Sequence, residues 1–193
     1  KLKVLKLDME AAMLSNNQRV QPLPETTQAG LIRGIQRWMT TNVIDASTAA
    51  NKTIYGGSVL SRPMFEALAK KAVDAGGNPE TVFANSTNRL KINDFAGDIS
   101  RDVDSLGRKL MRMIDQIISI AGTQNIVFNR RLAQDTVLMM EMKYWEMGWL
   151  REPQSYVKGL LGSRTDGWVE AEFTLLAYAE KTSGKITGLS TGV

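Results

Sequence analysis

Apolar residues recur at helical spacing in two stretches of the chain. Residues 1–14 have apolar positions every three or four residues with charged side chains between them, which predicts an amphipathic helix. The pattern over residues 59–75 predicts the clearest helix, because Ser61 can cap its start and Pro63 suits its first turn. Gly76 follows, as is typical of a helix end. The predicted buried stripe of this helix consists of Met64, Leu68, Ala72 and Ala75.

Weaker helical signals occur on either side of that helix. Residues 26–39 carry a helical stripe, but Gly30 and Gly34 lower its helix propensity. We therefore expect a poorer helix there, followed by a turn-rich linker over residues 42–58. A short helix is predicted over residues 88–95, and residues 100–106 could also be helical.

Strand patterns dominate the second half of the chain. One short buried strand is predicted earlier in the chain, over residues 81–84. The closing segment from Thr182 is expected to be a thin strand or coil. Turns are predicted at Glu152-Pro153 and over residues 162–167. The further predicted strands cover residues 112–120, 125–128, 136–142, 144–150, 155–161 and 168–178. Helices followed by strands predict an α+β fold.

The composition excludes several classes of function. The chain is 43% hydrophobic and 23% charged, which is globular, and it contains no Cys and no His. Disulfide scaffolds, thiolate metal sites, Cys nucleophiles and Ser-His-Asp triads therefore cannot be built. We expect no enzyme, and we assign no catalytic, cofactor-binding or metal-binding residue.

The charge is modest and uneven. The net charge is +4, and the excess lies in residues 1–75, since residues 76–193 are balanced. This excess is small for a dedicated nucleic-acid-binding protein. No apolar run reaches the length of a membrane span, so no membrane partner is expected.

Two patterns resemble ligand sites, and in each the structural interpretation is favoured. Gly56-Gly57-Ser58 precedes a helix and could cradle a phosphate, but it lacks the nucleotide-binding spacings and suits a flexible hinge better. The clustered acids could hold a hard cation, but without an EF-hand register they suit helix caps and solvated loops. These acids are Asp94, Asp98, Asp102 and Asp104.

Two further patterns could serve contacts with other molecules. Arg130-Arg131 could meet phosphate or a neighbouring subunit's carboxylate, or could be a plain surface pair. A Met- and Trp-rich run is typical of core filling, although part of it could be covered by another subunit. The residues of this run are Met139, Met140, Met142, Trp145, Met147 and Trp149.

The order of several short motifs resembles the tailed-phage major capsid proteins with the Hong Kong 97-type fold, over nearly the whole chain. The motifs are Asp8-Met9-Glu10-Ala11-Ala12-Met13-Leu14, Ala29-Gly30-Leu31, Trp38-Met39-Thr40-Thr41-Asn42, the helix 64–77 with Pro79, Val82-Phe83-Ala84-Asn85, Ile126-Val127-Phe128-Asn129-Arg130, Asp135-Thr136-Val137-Leu138, Leu150-Arg151, Glu172-Phe173-Thr174-Leu175 and Gly184-Lys185-Ile186-Thr187-Gly188-Leu189. Tyr178-Ala179-Glu180 departs from the more Asn-rich stretch expected there.

The resemblance implies an architecture and a role. A peripheral domain would comprise residues 1–50, with a spine helix near residues 1–14, and returning strands at residues 149–193; an axial domain would span residues 51–148. Copies would form the hexamers and pentamers of an icosahedral shell in the virion, assembled in the host cytoplasm. Scaffolding, portal and decoration proteins are the implied partners, with weak, non-specific contact to packaged DNA.

Two alternatives and one expectation about length remain. The alternatives are the shell of a bacterial nanocompartment and a nucleic-acid-binding module. The first helix begins at Lys1 without a capping residue. In the family it resembles, an arm and a hairpin loop precede this helix. We therefore expect the gene to encode an upstream segment.

Overall fold

The computed structural model describes residues 2–21, 30–96, 115–158 and 166–191. Helices and strands mix along the chain, which confirms the predicted α+β class. In chain order the elements are α1 (Leu2–Leu14), α2 (Ile35–Trp38), β1 (Val43–Asp45), α3 (Ala49–Tyr55), α4 (Arg62–Asp74), β2 (Thr81–Ala84), α5 (Ser86–Ala96), β3 (Gln116–Ser119), β4 (Gly122–Phe128), β5 (Val137–Met140), β6 (Trp145–Val157), β7 (Gly167–Ala177) and β8 (Gly184–Thr187), with short 3₁₀ turns at Met142–Tyr144 and Glu180–Thr182.

The chain forms two compact units, each built from two separate stretches. The first unit comprises Lys1–Trp38 and Trp145–Tyr178, and the second comprises Met39–Tyr144 and Ala179–Val193. The chain therefore passes from one unit to the other three times.

The second unit is organised around a mixed sheet. Its described strands are ordered β1-β8-β5-β2-β4-β3. β1 pairs in parallel with β8, and β2 pairs in parallel with β4, whereas the other neighbours are antiparallel. Parallel neighbours require crossover connections, and α4 and α5 lie in the connections that supply them.

The predicted helix stripe forms the core of this unit. Met64, Leu68 and Ala72 of α4 are completely buried, and the first two belong to the same apolar cluster as Val82 and Ile186 of the sheet. Full burial of a side chain such as Leu68 contributes roughly 1.5–3 kcal/mol. The prediction for this helix is confirmed, although it begins at Arg62 and Ala75, just past its end, is exposed.

The end of α4 is set by two consecutive glycines. Gly76 has φ of +84°, which is the left-handed conformation expected of a helix-terminating glycine. Its neighbour Gly77 lies so close to Thr182 that an added Cβ would stand 2.5 Å from the Cα atom of that residue. The first glycine is thus needed for backbone conformation and the second for space.

Gly76→Val is expected to destabilise the second unit by roughly 1–2 kcal/mol, because a β-branched residue resists the left-handed conformation. No atom lies within 4 Å of a Cβ built at Gly76, so a steric clash adds nothing to this cost. Chemical denaturation of the two proteins measures the difference. An unchanged unfolding midpoint would show that the left-handed turn is not needed here.

The first unit contains α1 and a two-stranded antiparallel ribbon of β6 and β7. α1 buries Met9 and Leu14, and the side-chain amide of Gln36 donates to the backbone carbonyl of Leu14 at 2.7 Å. Because an isolated two-stranded ribbon is only marginally stable in water, the packing of α1 against β7 supports the ribbon. The prediction of an amphipathic helix at residues 1–14 is confirmed.

Two predictions in the first half of the chain are wrong. The poorer helix over residues 26–39 is limited to Ile35–Trp38 in the described residues, and residues 22–29 lie outside them. Leu31 instead forms a β-bridge with Val20. The linker predicted over residues 42–58 contains β1 and α3, because β8, distant in sequence, supplies the partner strand for β1.

One prediction in the second half also needs correction. The turn predicted at Glu152-Pro153 is absent, since β6 runs continuously through it with a register irregularity between Arg151 and Gln154. Such irregularities are where a strand accommodates Pro, which lacks an N–H. The closing segment contains the four-residue strand β8, in agreement with the predicted thin strand, and this strand lies in the interior of the sheet between β1 and β5.

The other predicted elements are found within the described residues, some with different bounds. The strand predicted over residues 112–120 is β3, and those predicted over residues 144–150 and 155–161 form the single strand β6. The short buried strand over residues 81–84 is β2, and the short helix over residues 88–95 lies within α5. The predicted helical segment 100–106 and the predicted turn 162–167, except for its last two residues, lie outside the described residues.

Candidate assembly surfaces

The residues proposed for ligand chemistry are not brought together. Among the described residues, no group of three or more Asp or Glu side chains could hold a metal ion. Asp94 is exposed on α5, and the other three clustered acids lie outside the described residues. Within the described residues, the clustered acids therefore form no shared cation site.

The glycines at Gly56-Gly57-Ser58 end a helix. Gly56 adopts a left-handed conformation and caps α3, and the N–H of Gly57 donates to the carbonyl of Lys52 at 2.9 Å. The Ser58 hydroxyl bonds to the hydroxyl of Ser190 at 3.1 Å. Since α4 begins only at Arg62, these backbone N–H groups do not form the start of a helix that would receive a phosphate.

The Met- and Trp-rich run divides between core and surface. Met139 and Met140 are completely buried in β5, as core filling requires. Met142 and Trp149, by contrast, are 46% and 39% exposed. Part of the run is therefore available for contact with another molecule.

The far half of the ribbon carries exposed apolar side chains, which we call the ribbon surface: Leu150, Tyr156, Val157 and Trp168. Leu150 is 81% exposed and Val157 is 72% exposed. The rings of Tyr156 and Trp168 stack across the strands with centroids 5.5 Å apart. Large exposed apolar groups on one element are typical of contact surfaces.

Ion pairs cross from one strand of the ribbon to the other beside this surface. The guanidinium of Arg151 lies 2.5 Å from Glu170 and 3.6 Å from Glu172 on the opposite strand. These pairs bridge the place where the register between β6 and β7 shifts. They are solvent-exposed, so their contribution to stability is small, and their main effect is to fix the strand register.

Arg130 and Arg131 lie on the loop between β4 and β5, and both are exposed. The loop is fixed from beneath by the buried amide of Asn88, which donates to the carbonyls of Gln134 and Thr136 at 2.9 and 3.2 Å. The guanidinium of Arg130 lies 5.9 Å from the centre of the exposed Phe128 ring. The loop thus presents two cations on a rigid base.

Two carboxylates, which the sequence pattern did not single out, fasten the second unit. Glu141 is 4% exposed; it pairs with Lys143 and accepts the N–H of Asn78 at 3.0 Å. Glu180 accepts the N–H of Thr40 at 3.0 Å and a hydrogen bond from the Thr41 hydroxyl. Both therefore tie segments far apart in sequence.

Burial and hydrogen bonding act in opposite directions on these two acids. Burial raises the pKa of Glu141, but the hydrogen bonds from Lys143 and from the Asn78 N–H outweigh it and leave the pKa below its usual value. At Glu180, burial likewise raises the pKa and the bonds from Thr41 and Thr40 more than compensate, so that the pKa is lowered.

Stability is therefore expected to be nearly constant between pH 5 and 8 and to fall below about pH 4.3. A carboxylate whose pKa is lowered by folding stabilises the fold above its unfolded pKa. That stabilisation is lost as the pH falls through the folded value. The chain has no His that would titrate between pH 5 and 8. Urea midpoints at pH 7.5, 5.5 and 3.5 test this, and a transition near pH 6.5 would contradict it.

In the part of the chain that the structure describes, no helix has the length and apolar character that crossing a membrane would need.

Solved shell proteins share this fold. A chain of the holo-SrpI encapsulin complex from Synechococcus elongatus PCC 7942 aligns with a TM-score of 0.62 at 5% identity, covering 100% of this chain and 64% of that one. A chain of the satellite phage P4 procapsid aligns with a TM-score of 0.53 at 10% identity, covering 97% of this chain and 64% of that one. A structure of the phage G major capsid and decoration proteins gives 0.52 at 10% identity, covering 94% and 59%.

These likenesses define the class of the fold as the Hong Kong 97-type shell-protein fold, as the motif order predicted. No curated protein sequence matches the chain. The profile of the SU10 major capsid protein family matches residues 1–190, and the chain belongs to that family. The chain spans about 64% of the length of the encapsulin chain it resembles.

Proposed function

We propose that the protein of which this chain is part builds the icosahedral shell of a tailed phage and encloses its genome. The family match over residues 1–190 carries this proposal. In such a shell the copies would form hexamers and pentamers, since closed symmetry builds large assemblies from a few repeated contacts.

The ribbon surface supports a role in contacts between subunits. Burial of an apolar side chain at a subunit contact stabilises the assembly by about 25 cal/mol for each Å² of apolar surface removed from water. The side chains that would gain this stabilisation are Leu150, Tyr156, Val157 and Trp168. The pairs between Arg151 and the two acids on β7 add polar groups beside the apolar ones. Tyr156 and Val157 are consecutive in the strand and so point to opposite faces, so both faces of the ribbon offer apolar contacts.

The domain assignment is also part of the proposal. Residues 1–50 and 149–193 would form the peripheral domain, with α1 as its spine helix, and residues 51–148 would form the axial domain. In favour of the peripheral assignment, α1 and the β6–β7 ribbon share one compact unit; residues 39–50 and 179–193, by contrast, lie in the other unit. Cross-linking of assembled particles, followed by identification of the linked residues, tests it.

The proposal includes partners and location. Scaffolding, portal and decoration proteins would contact the shell, and packaged DNA would touch its inner face weakly. The location would be the virion, with assembly in the host cytoplasm. No enzymatic activity is proposed, in keeping with a composition that lacks both His and Cys.

The full-length protein is expected to form round shells of uniform size, or free hexamers and pentamers, when it is purified. The physical reason is the exposed apolar surface, which a monomer would leave in water. Electron microscopy and light scattering measure the outcome. A stable monomer at high concentration would contradict the proposal.

A second candidate is the shell of a bacterial nanocompartment, which encloses protein cargo. The likeness to the encapsulin chain, with a TM-score of 0.62, favours it. Particles from the native source would separate the two: a phage capsid contains double-stranded DNA of defined length, whereas a nanocompartment contains protein cargo and no genome. Protein cargo without a genome would favour this second candidate.

A further inference from the structure

The β3–β4 hairpin lies at one edge of the sheet of the second unit. Residues 116–128 lie in the longest uncharged run of the chain, residues 116–129, and contain no Pro. Edge strands of soluble proteins usually carry charges or Pro, which prevent them from pairing with other chains. This hairpin has neither.

The apolar side chains of the hairpin are exposed. Ile118 is 80% exposed and Ile120 is 63% exposed. On the neighbouring strand, Val127 and Phe128 are 39% and 40% exposed. The edge is therefore apolar as well as uncharged.

The outer backbone groups of β3 are also available. The N–H of Ile126 donates to the carbonyl of Asp115 at 2.8 Å, and Gln116 faces Asn125 across the pair. Because inward and outward bonding alternate along an antiparallel strand, the backbones of Gln116 and Ile118 point away from β4. No described residue bonds to these outward backbone groups.

The opposite edge of the same sheet is closed by its own chain. The Val43 carbonyl of β1 accepts the Lys71 ammonium at 3.2 Å. The Asp45 carbonyl accepts the side-chain amide of Asn51 at 2.7 Å and the hydroxyl of Thr48 at 3.0 Å. The two edges thus differ within the described residues: side chains cap the outer carbonyls of β1, whereas no described residue caps those of β3.

We propose that the outer edge of β3 binds a second copy of this chain by backbone strand pairing, with Ile118 at its centre; this rests on the proposed shell function. Strand addition to an open edge is a common mode of protein recognition. The absence of charged residues from this edge favours a second copy of the chain as the binding partner. A charged edge would place like charges opposite each other when two copies meet, and residues 116–128 carry none. An acidic or basic partner would find no complementary charge there.

Hydrogen exchange resolved to single residues tests the pairing in shells of the full-length protein and in their dissociated subunits. We expect the amides of Gln116 and Ile118 to exchange at least tenfold more slowly in the shell, since new hydrogen bonds protect them. The amide of Ile117, which already points toward β4, serves as the internal control and should change little. Equal exchange of Ile118 in shell and subunit would overturn the inference.

Ile118→Lys provides an independent test. Lys on an edge strand opposes pairing, and the side chain is so exposed that the subunit should fold normally, with its melting temperature within about 2 °C of the wild type. Shell yield is expected to fall at least tenfold. Ile54→Lys is the matched control, because Ile54 is 68% exposed on α3 of the same unit, and its shells should form normally.

The outcomes distinguish a failure of the edge-pairing inference from a failure of the proposed shell function. Normal shells from Ile118→Lys, or equal loss in both variants, would overturn the edge-pairing inference and leave the shell function intact. Loss of shells in Ile118→Lys without slowed exchange in the wild type would indicate side-chain contact alone, which also overturns it. If the wild-type protein forms no assembly, the shell function itself is wrong and the inference falls with it.

Discussion

Gly77→Ala is expected to destabilise the second unit by about 3 kcal/mol or more, at the upper end of the range for overpacking. A Cβ at this position would lie 2.5 Å from the Cα atom and 2.6 Å from the carbonyl oxygen of Thr182. Both are backbone atoms, so no side-chain rotation relieves the clash. The segment from Ala179 would have to move away from the end of α4, which would strain the bonds of Glu180 to Thr40 and Thr41.

Gly76→Ala is the matched control, because it adds the same methyl group one residue earlier. There the added atom meets nothing within 4 Å, and only the left-handed conformation opposes it, at a cost of about 1 kcal/mol. Thermal unfolding of both variants measures the difference. We expect Gly77→Ala to lower the melting temperature by roughly 6–12 °C. Equal, small shifts in the two variants would show that the segment at Thr182 moves freely.

Glu141→Ala is expected to destabilise the same unit by about 1–3 kcal/mol, because it removes a buried carboxylate that accepts a part-buried N–H. That N–H belongs to Asn78, which follows the two glycines. The substitution also breaks the ion pair with Lys143, but the Lys143 side chain is 64% exposed and its ammonium can be hydrated instead. The cost therefore arises from the loss of the carboxylate's hydrogen bond to Asn78 more than from the broken ion pair.

Glu66→Ala is the control for this substitution. Glu66 pairs with Arg62 on the exposed face of α4, with its side chain 49% exposed, and such pairs contribute under about 1 kcal/mol. Urea unfolding at pH 7 compares the two variants. As the pH falls through the lowered pKa of this carboxylate, the difference between wild type and Glu141→Ala should shrink. A constant difference across this range would contradict the role assigned to the charged carboxylate.

These two predictions concern contacts that the sequence pattern did not reveal. Glu141 directly follows the apolar run of β5, and nothing in that pattern shows that its carboxylate turns inward to meet Asn78. Gly77 looks like the second half of a helix stop, and its proximity to Thr182 depends on a segment about a hundred residues later. Contacts between residues so distant in sequence leave no periodic signal.

The sequence determined the elements whose stability is local. The helix that became α4 shows its stripe, its first-turn Pro and its terminal Gly76 in consecutive residues, so periodicity and backbone preference were enough. The order of short motifs also predicted the shell-protein family, and the absence of His and Cys excluded most catalytic and metal chemistry.

Only the tertiary structure decided the elements that need a distant partner. β1 is three residues long and exists because β8, some 140 residues later, pairs with it. The same pairing makes the closing segment an interior strand, where its composition predicted a thin strand or coil. The difference between the two edges of the sheet was equally hidden, because Lys71, Asn51 and Thr48 cap β1 by side-chain bonds that only folding brings into place. The apolar spacing of a helix is visible in consecutive residues of the sequence. Strand pairing and edge capping depend instead on which distant segments meet in the folded chain.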